Sequence, residues 1–140
     1  MRPLLILALC APTLALAEDV TLDNLLRAET DHMIRQNMEA FGLDVGQLVH
    51  QRETVDLDNQ PVIRMNVDTI YSSLVLDLSE PVEITLPEID GRYQSMHVIN
   101  QDHYMFVEAT PGVYRLTEDA VGTRFAAVAF RTFIDPDDPA

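Results

Sequence analysis

The chain has 140 residues, with nine basic and 23 acidic side chains and a formal net charge of −14, and every basic residue is an arginine. That length makes one domain at roughly 100–200 residues each, and without lysine the chain has no Schiff-base, pyridoxal-phosphate or P-loop lysine. A pI near 4.3 argues against nucleic acid or an anionic membrane surface as partner, since both select clustered Arg and Lys.

Residues 1–17 read as an export signal. Met1-Arg2-Pro3 is a short positive start, and residues 4–16 are apolar but too few to span a bilayer. Ala15-Leu16-Ala17 is a small-x-small cleavage site followed by Glu18-Asp19. Cys10 follows Leu9, where a lipobox needs a small residue, so lipidation is not expected. Cleavage after Ala17 removes Arg2 and the only cysteine. The mature domain is then expected in the periplasm or outside the cell, with no membrane anchor. It has no thiol chemistry or disulfide and rests on its core alone.

Residues 18–44 are assigned to an N-terminal helix, with the periodic pattern over 20–41, Thr21 or Asp23 as cap and Gly42 just past the end. Leu22, Leu25, Leu26 and Met33 share one face, and Ile34, Met38 and Phe41 a neighbouring one, a wide apolar stripe for packing on a sheet.

Residues 45–140 are assigned to a β domain, because beyond Gly46 the period becomes two. Strands are predicted over 62–67, 70–78, 82–86, 92–100, 104–109, 113–116 and 123–134. Turn residues separate them at Asp58-Asn59-Gln60-Pro61, Ser79-Glu80-Pro81, Asp90-Gly91 (a hairpin signal) and Pro111-Gly112. Strands recurring every ~8–12 residues suggest a mainly β fold, an antiparallel sandwich or jelly roll, with the one helix ahead of it. The end, Asp135-Pro136-Asp137-Asp138-Pro139-Ala140, starts like a helix cap and then stops. It reads either as a frayed terminus or as a shortened form of a longer protein.

Residues able to do chemistry are few. No nucleophile elbow, His-Glu-x-x-His, Gly-x-Gly-x-x-Gly or P-loop motif occurs. Ser95 and His97 lie two apart on one strand face, without a placed acid or oxyanion nest. His97, Asp102, His103 and Glu108 are imidazole and carboxylate ligands close in sequence, a weak metal set because no histidine follows His103. The densest polar run is Arg64 to Ser72. Arg64, Asn66, Asp68 and Tyr71 are expected to converge near Arg92 or Tyr93 as a polar cleft for a small molecule, or else to tie down a strand corner. Arg131 shares a face with Phe125, Ala127, Ala129 and Phe133, so it is expected to be buried and paired with Asp68 or Asp77.

These residues carry a resemblance. Asn59-Gln60-Pro61-Val62-Ile63-Arg64-Met65-Asn66, with Asp68-Thr69, Tyr71-Ser72, Gly91-Arg92-Tyr93, Val98-Ile99-Asn100-Gln101-Asp102, Gly122-Thr123-Arg124 and Arg131-Thr132-Phe133-Ile134-Asp135, resembles the bacterial family called domain of unknown function 1254. The blocks run in order over residues 45–138. The resemblance implies an exported bacterial β-rich domain, often followed by a sister domain numbered 1214, with no accepted catalytic residues; some relatives carry hydrolase names. The leading functional expectation is therefore a small-molecule binding or accessory module, and the alternative a metal-assisted or general-acid hydrolase of small esters. Which ligand, metal or cofactor it takes, and whether it forms a homo-oligomer, the sequence leaves open.

Overall fold

The alternation that starts near residue 69 becomes a series of short antiparallel strands. A computed structural model describes residues 19–134 apart from 57, 59–63 and 65. In chain order it has helix α1 (Leu25–Phe41), strands β1 (Val49–Gln51), β2 (Thr69–Asp77), β3 (Val82–Leu86), β4 (Gln94–Asn100), β5 (Met105–Glu108) and β6 (Gly112–Leu116), a one-turn helix α2 (Glu118–Val121) and strand β7 (Phe125–Phe133). The export segment 1–17, half of the strand expected over 62–67 (residues 62, 63 and 65) and the tail 135–140 lie outside the described residues.

Five strands form one antiparallel sheet in the order β1-β2-β7-β4-β5, and β3 and β6 form a second, two-stranded sheet. Register decides what each face carries. Leu74 and Leu76 lie opposite Val128 and Ala126, which lie opposite Val98 and Asn100. Because side chains alternate along a strand, this even-numbered face is apolar. It packs against Ile84, Leu86 and Leu116 from the second sheet, with Met96 and Val121 in the same cluster. Met96 and Val98 have essentially no exposed surface, and burying a side chain of that size stabilises by about 1.5–3 kcal/mol.

The fold is thus mainly β, antiparallel, with the N-terminal helix. Its two β layers are unequal, one of five strands and one of two. Apolar residues on both faces at Leu74-Val75-Leu76 have a direct reason. The odd-numbered face is covered in part by α1, whose Ile34 is buried, while Val45 bridges in parallel to Val75 at the edge of β2. Asp31 accepts from Gln101 Nε2 at 2.8 Å, and Arg27 pairs with Asp102 at 2.6 Å.

Several expectations are corrected. α1 starts at Leu25, not near residue 20, with Asn24 as N-cap and no side-chain cap bond. The Asn24 Oδ1 that would cap it accepts from Thr21 N–H instead. Gly42 does close the helix, in the left-handed conformation. Only the Ile34 side of the helix is buried; Leu22, Leu25, Leu26 and Met33 face solvent. Arg64 is in a turn with φ +65°, the left-handed region, and Asn66 precedes a bend at residues 67 and 68, so Arg64 and Asn66 do not share a strand face. The Asp90-Gly91 turn is not a hairpin but a corner, because β3 pairs with β6 while β4 pairs with β5 and β7. Strand β1 and helix α2 are additions to the elements read from the sequence. Among the described residues, no helix is long and apolar enough to cross a membrane.

Candidate functional site

A cavity of about 550 Å³ opens between the two sheets on the β1–β2 side of the molecule. Its walls are apolar because they are the margin of the core: Leu74, Leu76 and Phe130 from the large sheet, Ile84 and Leu86 from β3, and Leu48 at its mouth. Five polar side chains interrupt this lining: Glu83 and Thr85 from β3, and His50, Ser72 and Gln94. His50 and Ser72 face each other across β1 and β2, and His50 Nδ1 lies 2.7 Å from Ser72 Oγ. Gln94 donates through Nε2 to Thr132 Oγ1 at 3.0 Å, while its Oε1, buried, has no partner. A buried acceptor left without a donor is uncommon.

A second chamber of about 380 Å³ adjoins the first; both touch Leu86, Pro87 and Gln94. Arg92 and Tyr93 line it, beside Glu88. These are the two members of the expected cleft that reach a cavity wall. Arg64, Asn66 and Asp68 are exposed, and neither they nor Tyr71 line the groove. Asp68 does tie a corner: its Oδ1 accepts from Thr69 Oγ1 and its carbonyl from Ile134 N–H. The Tyr93 carbonyl accepts from Phe133 N–H on the other side of β7, so Asp68 and Tyr93 flank one strand end through their backbones. Tyr71 belongs to a different row. It lies opposite Arg131, and Arg131 opposite Ser95, on the odd-numbered face.

The four metal-ligand candidates do not come together. His97 is on the odd-numbered face of β4, whereas Glu108 lies opposite Met96 on the even-numbered face. Asp102 is taken by Arg27, and His103 Nδ1 lies 3.0 Å from Thr30 Oγ1, so α1 claims that turn. Among the described residues, no three His, Cys, Asp or Glu side chains group as a metal site. Burial pushes the His97 imidazole below the ordinary histidine pKa, and the Arg131 cation adds to the effect. Its Nε2 is buried with no partner.

Arg131 itself is exposed, which overturns its expected burial against Asp77. Asp77 is held instead by Arg124, in a two-pronged pair of 2.8 and 2.7 Å. Hydrogen bonds from Arg124 and from the Ser79 backbone hold the Asp77 carboxyl well below the usual carboxylate range. The Arg124 guanidinium also lies 5.1 Å from the centre of the Phe125 ring. The Ser–His contact that forms is Ser72 with His50. Sequence reasoning missed it because β1, at three residues, is too short to show a period and His50 is 22 positions from Ser72.

Residues 45–115 match the model of a family described as Protein of unknown function (DUF1254). No curated protein matches the chain. The crystal structure of the VPA0106 protein from Vibrio parahaemolyticus is similar in fold, with a TM-score of 0.57 and 16% sequence identity. The match covers 81% of this chain and 31% of that one, so the chain spans about a third of the length of that protein.

Proposed function

From the premise that the chain belongs to the DUF1254 family, whose description assigns no activity, we propose that this domain binds a small, mainly apolar molecule in the groove between its two sheets. The observation that carries the reading is the 550 Å³ apolar groove interrupted by the His50–Ser72 pair. Its volume is within the usual range for small-molecule sites, and an apolar lining with a few placed polar groups is their usual composition. The adjoining chamber extends the ligand's reach to Arg92 and Tyr93. Export through residues 1–17 is part of the proposal, on the Ala15-Leu16-Ala17 pattern; it requires a mature amino terminus at Glu18.

Titration with the uncharged dye Nile red tests the binding. One saturable site is expected, lost in Leu48→Arg, which places a charge at the groove mouth, and kept in Val113→Lys, an exposed site outside the lining. Absence of saturable binding to the folded wild type defeats the reading.

One observation favours a second reading, ester hydrolysis. In it the His50 imidazole takes the Ser72 hydroxyl proton as Oγ bonds to an acyl carbon, and gives it to the departing alcohol; a water molecule then attacks the acyl carbon, its proton returns through His50 to Oγ, and the acid leaves. Binding leads because His50 is exposed and no carboxylate hydrogen bond to it is present among the described residues, so half of the usual machinery has no counterpart. Turnover of p-nitrophenyl butyrate, lost in both Ser72→Ala and His50→Gln with Nile red binding retained, would move the assignment to hydrolase.

A further inference from the structure

We propose that β5 is a self-association strand, through which two copies of the chain join edge to edge into one continuous antiparallel sheet. β5 closes one side of the five-stranded sheet and, among the described residues, pairs only with β4. Four large apolar residues in a row are exposed there: Tyr104 at 76%, just ahead of the strand, and Met105 at 52%, Phe106 at 38% and Val107 at 52% on it. Edge strands are ordinarily guarded by charges, prolines or bulges. The opposite edge follows that rule, since β1 carries His50 and Gln51 and runs directly into Arg52 and Glu53. β5 has none of these guards before Glu108, and the chain has no lysine to supply one.

The backbone gives the register. The Tyr104 carbonyl accepts from Asn100 N–H, so it points at β4. Polar groups of successive residues point to alternate sides of a strand, so those of Phe106 also point inward. Those of Met105 and Val107 then point outward, unpaired. An antiparallel pairing centred on Phe106 sets Met105 against Val107 of the second copy, and the two-fold axis repeats the pair. Each such pair exchanges two hydrogen bonds. The same register opposes Phe106 to its own copy and Tyr104 to Glu108 of the second copy, so no acid meets an acid. Shifting the centre to Met105 would instead oppose Glu108 to Asp102, a like-charge contact. A two-fold pairing of one surface with itself is also the commonest closed assembly.

Sedimentation equilibrium of the purified chain, at ~1–100 µM because dimers respond to concentration, tests the proposal. A species of twice the chain mass is expected. It should tighten as salt rises, because each copy carries −14 and salt screens their repulsion. Val107→Pro removes an outward N–H from each copy without touching the β4 ladder, and should weaken the dimer by about 100-fold. Val107→Lys should do the same by guarding the edge, while Val113→Lys should leave the mass unchanged. If Val107→Pro fails to fold, Val107→Lys decides. A wild type that stays monomeric across the range, or a folded Val107 variant that still dimerises like wild type, overturns the proposal.

Discussion

Asn100 donates through Nδ2 to the Val121 carbonyl at 2.8 Å, and this bond fastens the end of β4 to the one-turn helix α2. The same amide's Oδ1 accepts from the backbone N–H groups of Asp102 and Tyr104. One buried side chain therefore shapes the turn into β5 and anchors α2. Gly122, at φ +92°, packs beside it: a Cβ there would lie 3.3 Å from Asn100 Nδ2.

Asn100→Ala strands a buried carbonyl and two turn N–H groups. It should destabilise the domain by about 3 kcal/mol, each lost partner of a buried group being worth ~1–3 kcal/mol. Urea unfolding followed by circular dichroism measures this; a loss below the uncertainty of the extrapolation would show that water replaces the amide freely.

Leu86 and Leu22 separate core from surface. Leu86 is 2% exposed between the sheets and Leu22 93% exposed ahead of α1. Leu86→Ala should cost about 2–5 kcal/mol and Leu22→Ala less than about 0.5 kcal/mol. Equal losses in the same denaturation experiment would contradict this placement of the core.

His97 should give the stability a pH dependence. Its folded pKa is depressed below the ordinary 6.5 by burial. The unfolded chain therefore takes up the proton first on acidification. The contribution of neutral His97 is complete above the unfolded value of 6.5 and is lost as pH falls below it and through the lower folded value. Replacing the ring with the neutral side chain of His97→Leu should flatten that part of the profile of unfolding free energy against pH. An unchanged slope would place the titrating group elsewhere.

Asp77 runs with the same sign at lower pH. Its folded carboxyl titrates below the ordinary 3.8 because Arg124 and the Ser79 N–H bond its charged form. The stabilisation is present above 3.8 and lost as pH falls through the folded value. In a carboxyl-detected NMR titration, Arg124→Gln should move the Asp77 midpoint up towards 3.8. A midpoint that does not move would assign the shift to the backbone bond from Ser79.

Much of the framework was legible from residue order because it rests on local periodicity. Val82, Ile84 and Leu86 alternate with Glu83 and Thr85, and that alternation alone makes β3 one-sided. Gly42 marked the end of α1 because a left-handed residue there needs no Cβ. Run length, turn residues and the ordered blocks around Asp68-Thr69, Gly91-Arg92-Tyr93 and Gly122-Thr123 were likewise in the sequence. The site depends on pairings between distant positions, which no local period encodes. Arg124 reaches Asp77 across 47 positions, and Arg131, apolar in its alternation, is exposed. The chain turns a corner at Gly91, between β3 and β4, so that β4 joins the large sheet while β3 pairs with β6 in a second one, and the groove is what that two-stranded layer leaves uncovered on the wider one. Local sequence sets which face of each strand is apolar. Only the tertiary register decides which strands share an edge, which polar side chains meet, and where two faces fail to close.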